Sequence, residues 1–408
     1  MNPIITSLLE TDMYKFSMGQ AIYHQFPNYM TRWAFKCRNE DVIFTDEMIA
    51  EINRQLDAYC NLRFTSDELQ YLSNIPWIKQ DYVNFLKLWY PQRSEIKVER
   101  TDSGCHLDIQ AYGTWLNTSM YEIAILAIVN EVYFKFQYHY PDLLDQFKQR
   151  ASEKLLLLHD GEYEIGPFSE FGLRRRLSGE AQEHIISKLQ DCKMAGMLNK
   201  STFIGTSNVF LARKYDILPV GTMAHEFIEG VGQGNHMLNP AYSNHFMLES
   251  WVREYGVDNG IALTDCIGTD VFLRDFNKTY ATLFSGVRHD SGDPIEWGNK
   301  IIDHYRKLGI DYTKKTLLFS DSLNFKRATE IYKYFQNKEA GIKVAFGIGT
   351  YLANDTDARP LNIVFKMIEC NGMPVAKLSD TPGKCMCRDI EYINYLDRTI
   401  KWRLSHEN

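Results

Sequence analysis

Through the middle of the chain, short apolar runs end in small or polar residues and give way to stretches of helical periodicity. Phe168–Arg176 precedes Gly179–Leu189, Thr202–Thr206 precedes Val209–Tyr215, and Ile217–Thr222 precedes a segment beginning near His225. Ile261–Asp265 then leads to Asp270–Phe276, Leu283–Asp290 to Ile295–Leu308, and Thr316–Asp321 to Phe325–Phe335, with Lys343–Gly347 as the last run. Strand and helix in alternation predict parallel strands joined by helical crossovers. Seven such runs predict an α/β fold, an irregular or incomplete (β/α) barrel over residues 111–359. The alternative is a doubly wound open sheet, but no GxGxxG follows an early strand, which disfavours a dinucleotide-binding unit.

Outside that range the pattern changes. Ile363–Cys370, the pair Asn371-Gly372 and Met373–Ser379 read as a β-hairpin with a type I′ turn, since Asn-Gly tolerates positive φ at both central positions. The first 110 residues are mixed and aromatic-rich. Residues 1–110 and 360–408 are therefore expected to build one flanking α+β domain. Met120–Phe136 contains the most apolar stretch, Ile123–Val129, interrupted by Glu122, Asn130 and Glu131. That is well short of the roughly 20 residues a membrane span needs, so it reads as a buried helix.

Composition narrows the function. With 408 residues, 45% of them hydrophobic, the chain exceeds what one core organises, which favours two domains. A charged fraction of 24% excludes wholesale disorder, and a net charge of −7 argues against a general nucleic-acid binder. Anionic ligands then require a local basic pocket. The 8 cysteines include no CxxC pair, Cys385 and Cys387 being the closest two, which excludes zinc spacing and a compact disulfide framework. Met1–Phe16 lacks a basic region followed by an apolar run, being broken by Glu10, Asp12 and Lys15, so no signal peptide is expected. Reduced thiols, a cytoplasmic location and no membrane partner follow.

In parallel α/β folds ligands sit at the carboxyl ends of the strands. Here those ends read FGLRRR, FIGTS, VGTMAHEF, LTD, GVRHDSGD, FSDS and FGIGT. Turns suffice for a structural barrel; Arg, His and Asp do not follow from that need. In SGVRHDSGDP, strand alternation puts Arg288 and Asp290 on one face and His289 on the other. The pair either grips an anion and a cationic ring or metal, or forms an internal salt bridge. In FGLRRR, alternation pairs Arg174 with Arg176 and opposes Arg175. Guanidinium forks suit phosphate, with a solvated edge strand as the alternative. His225 in GTMAHEF, after a strand and at a helix start, meets backbone N–H groups and a positive dipole end, which favours a neutral imidazole able to act as nucleophile or base. A purely structural histidine is the plainer reading. The FGIGT glycines let amides approach a phosphate, and Asp265 and Asp321 serve either to orient the histidine, to hold magnesium, or as helix N-caps. There is no Walker A sequence, no HExxH, and no paired-acidic motif with a Thr-Gly-rich loop of the purine type.

Taken in order, TDMY at Thr11–Tyr14, FGLRRR, GTMAHEF, GVRHDSGDP, FSDSLN and FGIGTYL resemble nicotinate phosphoribosyltransferases, type II phosphoribosyltransferases, over essentially the whole chain. LTDCIGTDVFL at Leu263–Leu273 looks like the shorter bacterial members and departs from the Asp-Thr-Tyr-Asp form of many relatives, which concerns Asp270. The resemblance implies an irregular α/β barrel and the reaction of nicotinate, phosphoribosyl pyrophosphate, ATP and water to nicotinate mononucleotide, pyrophosphate, ADP and phosphate, in NAD salvage and with magnesium. It implies that His225 is transiently phosphorylated, that Asp265 orients it and that Asp290 lies near the ribose. It further implies that Tyr14 and Phe171 sandwich the pyridine, Tyr14 coming from a second subunit of a homodimer with a shared active site. Thr222 and Arg288 would place the nicotinate. Arg38, Arg174, Gly347, Gly349 and Thr350 would bind phosphoryl groups. No residue is assigned to the metal.

Nicotinamide phosphoribosyltransferase is the nearest alternative. That sister family has an aspartate where this chain has Ser207 in FIGTSN, and an aspartate there would repel a carboxylate ligand, so Ser207 favours nicotinate. Quinolinate phosphoribosyltransferase would need extra basic residues for a second carboxylate. A barrel phosphoryl-transfer enzyme using His225 without a ribosyl acceptor, or a metabolite-binding protein with a decayed site, completes the set.

Overall fold

The computed structural model describes residues 1–338, 341–380, 387 and 389–407; Cys385 lies outside them. The chain opens with a helix, Met13–Gln25, and then β1 (Met30–Cys37), β2 (Ile96–Arg100) and β3 (Leu107–Thr114), which pair antiparallel. Along β3 buried positions alternate with more exposed ones, the signature of a sheet with one covered face. Thr114 caps the next helix by accepting from the Asn117 amide. That helix, Trp115–Gln137, is buried around nearly its whole circumference, and it packs against β1, β3 and the first helix. The apolar stretch is thus a core helix, and no helix among the described residues is long and apolar enough to cross a membrane.

Seven strands follow: β4 (Pro167–Glu170), β5 (Thr202–Thr206), β6 (Leu218–Pro219), β7 (Ile261–Leu263), β8 (Gly286–His289), β9 (Thr316–Phe319) and β10 (Lys343–Ile348). They form one parallel sheet in the order β6-β5-β4-β10-β9-β8-β7. Each expected run holds a strand, and helices such as Gly179–Met194, Pro294–Lys307 and Phe325–Lys338 follow as the periodicity implied. Among the described residues β6 and β7 do not pair, so the barrel is incomplete. The Thr222 hydroxyl spans that seam, donating to the Ile261 carbonyl at 2.8 Å.

The chain then returns to the first sheet with β11 (Ile363–Cys370) and β12 (Met373–Pro374), giving the order β12-β11-β1-β3-β2. Both ends of the chain build this sheet. Trp33 of β1 stacks on Phe365 of β11 with ring centroids 5.7 Å apart. The hairpin turn has φ of 51° at Asn371 and 77° at Gly372, the two positive values a type I′ turn requires.

Three strand expectations are corrected. The second strand of the hairpin, expected over Met373–Ser379, is only Met373–Pro374; the other two lie in the parallel sheet. The run Phe168–Arg176 ends as a strand at Glu170, and Leu173–Arg175 is a 3-10 turn. The Glu170 carboxylate accepts from the Gly172 amide at 2.5 Å, and the Phe171 amide donates to the Ile348 carbonyl at 2.8 Å, so the ladder stops and the chain bends. Ile217–Thr222 shortens to two strand residues, leaving 220–224 as a loop over the sheet end.

Candidate active site

The carboxyl ends of the parallel strands surround a cleft of about 690 Å³, within the range of small-molecule sites. His225 is the first residue of the helix His225–Gln233, behind an extended Ala224. Its Nε2 lies 2.8 Å from Asp265 Oδ1 and 3.8 Å from Asp290 Oδ2. Asp265 sits after β7, is 1% exposed, and accepts from Ser291 Oγ at 2.6 Å and Lys377 Nζ at 2.8 Å. Burial raises the Asp265 carboxyl, but His225 and Lys377 outweigh it and hold the group well below the ordinary range. Burial, with Lys377 beside it, pushes His225 down to about 4 against the pull of Asp265. Asp265 thus has its cation in Lys377, and His225 is a neutral imidazole at neutral pH. With Nε2–H donated to Asp265, the ring lone pair rests on Nδ1.

A second group of side chains lines the cleft from the first helix, the ends of β4 and β5, and β8. Tyr14, Phe171, Ser207 and Arg288 all line the cleft. Phe171 lies over Gly347, where a Cβ would stand 2.3 Å from the ring. Gly347 itself does not line the cleft and lies under that ring. Arg288 donates to the Met223 carbonyl at 3.0 Å and lies 3.7 Å from Asp290. As alternation requires, His289 points away and meets Trp297 and Phe319. Buried polar atoms without a well-formed hydrogen bond gather here: the Tyr14 hydroxyl, Ser207 Oγ, Asp12 Oδ1 and Arg288 Nε. Such groups cost about 1–3 kcal/mol each when left unmatched, a cost that polar groups of a bound ligand would offset.

Tyr14 lines this cleft together with Phe171 of the same chain. The Met13 amide donates to the Ser207 carbonyl at 2.8 Å, so the chain start is stitched to the end of β5. This stitch also brings in Asp12, a carboxyl the sequence reading passed over. Burial raises it, against Arg174 and the neighbouring Ser207 and Tyr14 hydroxyls.

Arg38 at the end of β1, Arg174 and Arg175 in the turn after β4, and Lys366 of β11 form the basic side of the cleft. Burial first, then Arg174 and Arg38, push Arg175 down to about 10, as expected where cations crowd and an anion would relieve them. Arg176 belongs elsewhere: it is fully buried and pairs with Glu10 at 2.6 Å. The alternation that paired Arg174 with Arg176 fails because the segment is a turn. Gly349 and Thr350 line the same side, Thr222 lines the far end, and Asp321 joins Asp290 along the β8–β9 edge. Asp270 lies outside, paired with Lys300 at 2.8 Å on the surface.

Ligand atoms of His225, Asp265 and Asp290 lie within 4.8 Å of one another. Asp265 is already committed to His225, Ser291 and Lys377, so this trio is a poor all-protein cage. Asp290 accepts from Ser320 Oγ at 3.1 Å and lies 3.6 Å from Lys377 Nζ, and Asp321 lines the same edge of the cleft.

A basic, partly apolar cleft at the strand ends of an incomplete α/β barrel, with a neutral histidine held by a carboxylate, is suited to binding anionic small molecules. Residues 167–403 match the Nicotinate phosphoribosyltransferase (NAPRTase) family, and residues 9–130 match its N-terminal domain. The nicotinate phosphoribosyltransferase of Acinetobacter baumannii is 44% identical over 98% of this chain and 98% of its own. That of Acinetobacter baylyi is 45% identical over 98% and 97%. Nicotinate phosphoribosyltransferase structures from Vibrio cholerae and Porphyromonas gingivalis superpose with TM-scores of 0.89 and 0.86, each at 34% identity, covering 98% of this chain and 94% and 100% of theirs. The chain belongs to the nicotinate phosphoribosyltransferase family, and its activity is that of NAD salvage.

Proposed function

We propose that the enzyme couples ribosyl transfer to ATP through a phosphoryl group carried on His225. The observation that carries this reading is the His225–Asp265–Lys377 arrangement, which keeps the imidazole neutral and its Nδ1 lone pair available. Nδ1 attacks the γ-phosphorus of ATP, the bond to the β-phosphate oxygen breaks, and ADP leaves with that electron pair. Water later takes the phosphoryl group to inorganic phosphate. In the ribosyl step the C1–O bond of phosphoribosyl pyrophosphate breaks and pyrophosphate leaves with the pair. The nicotinate ring nitrogen, held between Tyr14 and Phe171, then bonds to C1. Arg38, Arg174, Arg175 and Thr350 hold phosphoryl oxygens, Arg288 and Ser207 meet the nicotinate carboxylate, and Asp290 faces the developing positive charge on the ribose. Magnesium, with Asp321 on the cleft wall to hold it, would supply charge neutralisation at the pyrophosphate. Gly349 shapes the phosphate end, and Thr222, with its hydroxyl engaged by Ile261, places the ring through its backbone.

The test uses γ-labelled ATP. The parent enzyme is expected to acquire acid-labile phosphate and nicotinate-stimulated ATPase activity, and His225→Ala to lose both while keeping slow ATP-independent formation of nicotinate mononucleotide. Equal labelling of the alanine variant would overturn the assignment.

A further inference from the structure

The start of the first helix carries a lysine with no exposure at all, Lys15. Its ammonium lies 2.7 Å from Glu122 Oε2 and forms a short ion pair with Glu226. Ser119 Oγ donates to the other oxygen of Glu226 at 2.5 Å, and Trp33 offers its ring face to the ammonium at 5.2 Å. Glu122 in turn lies 3.7 Å from Arg174. A buried ion cluster of this kind is a poor source of net stability, since desolvation offsets most of the attraction. What it does supply is a fixed geometry between elements.

The sequence neighbours of these two residues give that geometry a meaning. Lys15 follows Tyr14, and Glu226 follows His225. The ion pair joins the residue behind the ring-stacking tyrosine to the residue behind the phosphorylated histidine. Two further contacts run parallel to it. The Ala224 amide approaches Met18 Sδ at 3.2 Å, and Gly221 lies so close that a Cβ there would stand 2.9 Å from the Tyr14 nitrogen. The loop before His225 is therefore packed directly on the first helix.

We propose that Lys15 is a positioning residue that transmits the charge state of His225 to Tyr14, so that phosphorylation tightens the grip on the pyridine ring. This rests on the reading of His225 and Tyr14 given above. A phosphoryl group on His225 adds roughly −1.5 to −2 charges at the amino end of the helix that also carries Glu226. The new charge arises one residue from Glu226, whose carboxylate shares the buried ammonium with Glu122, and that ammonium belongs to the residue next to Tyr14. A ligand moves such an equilibrium only through a difference in interaction between its two states. The shared ammonium supplies that difference, and Glu122 passes it on to Arg174 at the phosphate side.

The experiment measures nicotinate KM with and without ATP at saturating phosphoribosyl pyrophosphate, with acid-labile phosphate on the enzyme quantified alongside. In the parent enzyme ATP is expected to lower the KM, within the roughly 5- to 150-fold span of site–site couplings. In Lys15→Met that ratio is expected to collapse towards one while labelling of His225 persists. Glu226→Gln, which leaves Lys15 paired with Glu122, is expected to fall between. A Lys15→Met enzyme that labels normally and keeps the parental KM ratio overturns the proposal. Should Lys15→Met lack a cooperative melt, Glu226→Gln decides, and an unchanged ratio there has the same force. Absence of acid-labile phosphate on the parent would instead overturn the phosphohistidine reading, so the two failures are told apart.

Discussion

Ser207 and Gly347 show how single side chains set the pyridine site. Ser207 Oγ has no well-formed partner in its buried position, and the Asp12 carboxyl lies beside it. In Ser207→Asp a second carboxyl enters, and two like charges about 4 Å apart cost on the order of 1–4 kcal/mol. Efficiency with nicotinate is expected to fall accordingly and the preference ratio to move towards nicotinamide; kcat/KM for each pyridine checks it, and an unmoved ratio in a folded variant removes Ser207 as the discriminator. Gly347→Ala puts a methyl into the space under Phe171. Nicotinate KM is expected to rise several-fold, with overpacking costing about 1–3 kcal/mol of stability, read by titration and thermal melting of the same sample. Of the residues in this cleft, Arg288 and Asp290 were legible because they stand at a strand end, where the alternation rule places them, and His225 because it stands at a helix start. Asp12, Arg175, Lys366 and Lys377 were not. Each reaches the cleft from a segment whose approach depends on tertiary folding, and an isolated lysine within the apolar run of β11 was the only local sign of Lys366.

At the scale of elements, the turn after β4 and the β11–β12 hairpin carry the phosphate side of the cleft. Glu170 anchors the turn, accepting from Gly172, Thr206 and Gln182. Burial outweighs these donors and pushes its carboxyl up to about 7. A carboxyl that holds its proton more tightly when folded stabilises the protein below its unfolded value and loses that contribution as pH rises through the folded one. The window is therefore from about 4.5 to 7, and the loss attributable to this group reaches up to about 3 kcal/mol. Melting temperatures of Glu170→Gln and the parent, compared between pH 5 and 7.5, are expected to show a flatter dependence in the variant. The same side chain explains why the strand was read too long: no periodicity reveals a carboxylate that folds back onto an amide two residues on. The hairpin, by contrast, was readable from Asn371-Gly372 alone. Gly372→Ala forces a Cβ into left-handed backbone with nothing near it to clash. It is expected to cost about 1–2 kcal/mol and, through Lys366 and Lys377, to raise the KM for phosphoribosyl pyrophosphate more than that for nicotinate.

For the molecule as a whole, the alternation of strand and helix was enough to give the incomplete barrel, and the change of pattern near residue 360 was enough to send the last strands elsewhere. What local patterns could not supply was the partner of each end. β1 finds its neighbour in β11, with Thr31 facing Cys370. That pairing has a cost in time. The ribosome adds about 5–20 residues per second, so β1 waits roughly 20–70 s for β11 to be made. Throughout that interval Trp33 lacks the Phe365 ring, and the long apolar helix behind it lacks the part of its cover that β11 supplies, so a strip of apolar surface on the nascent chain waits for nearly the last residues to emerge.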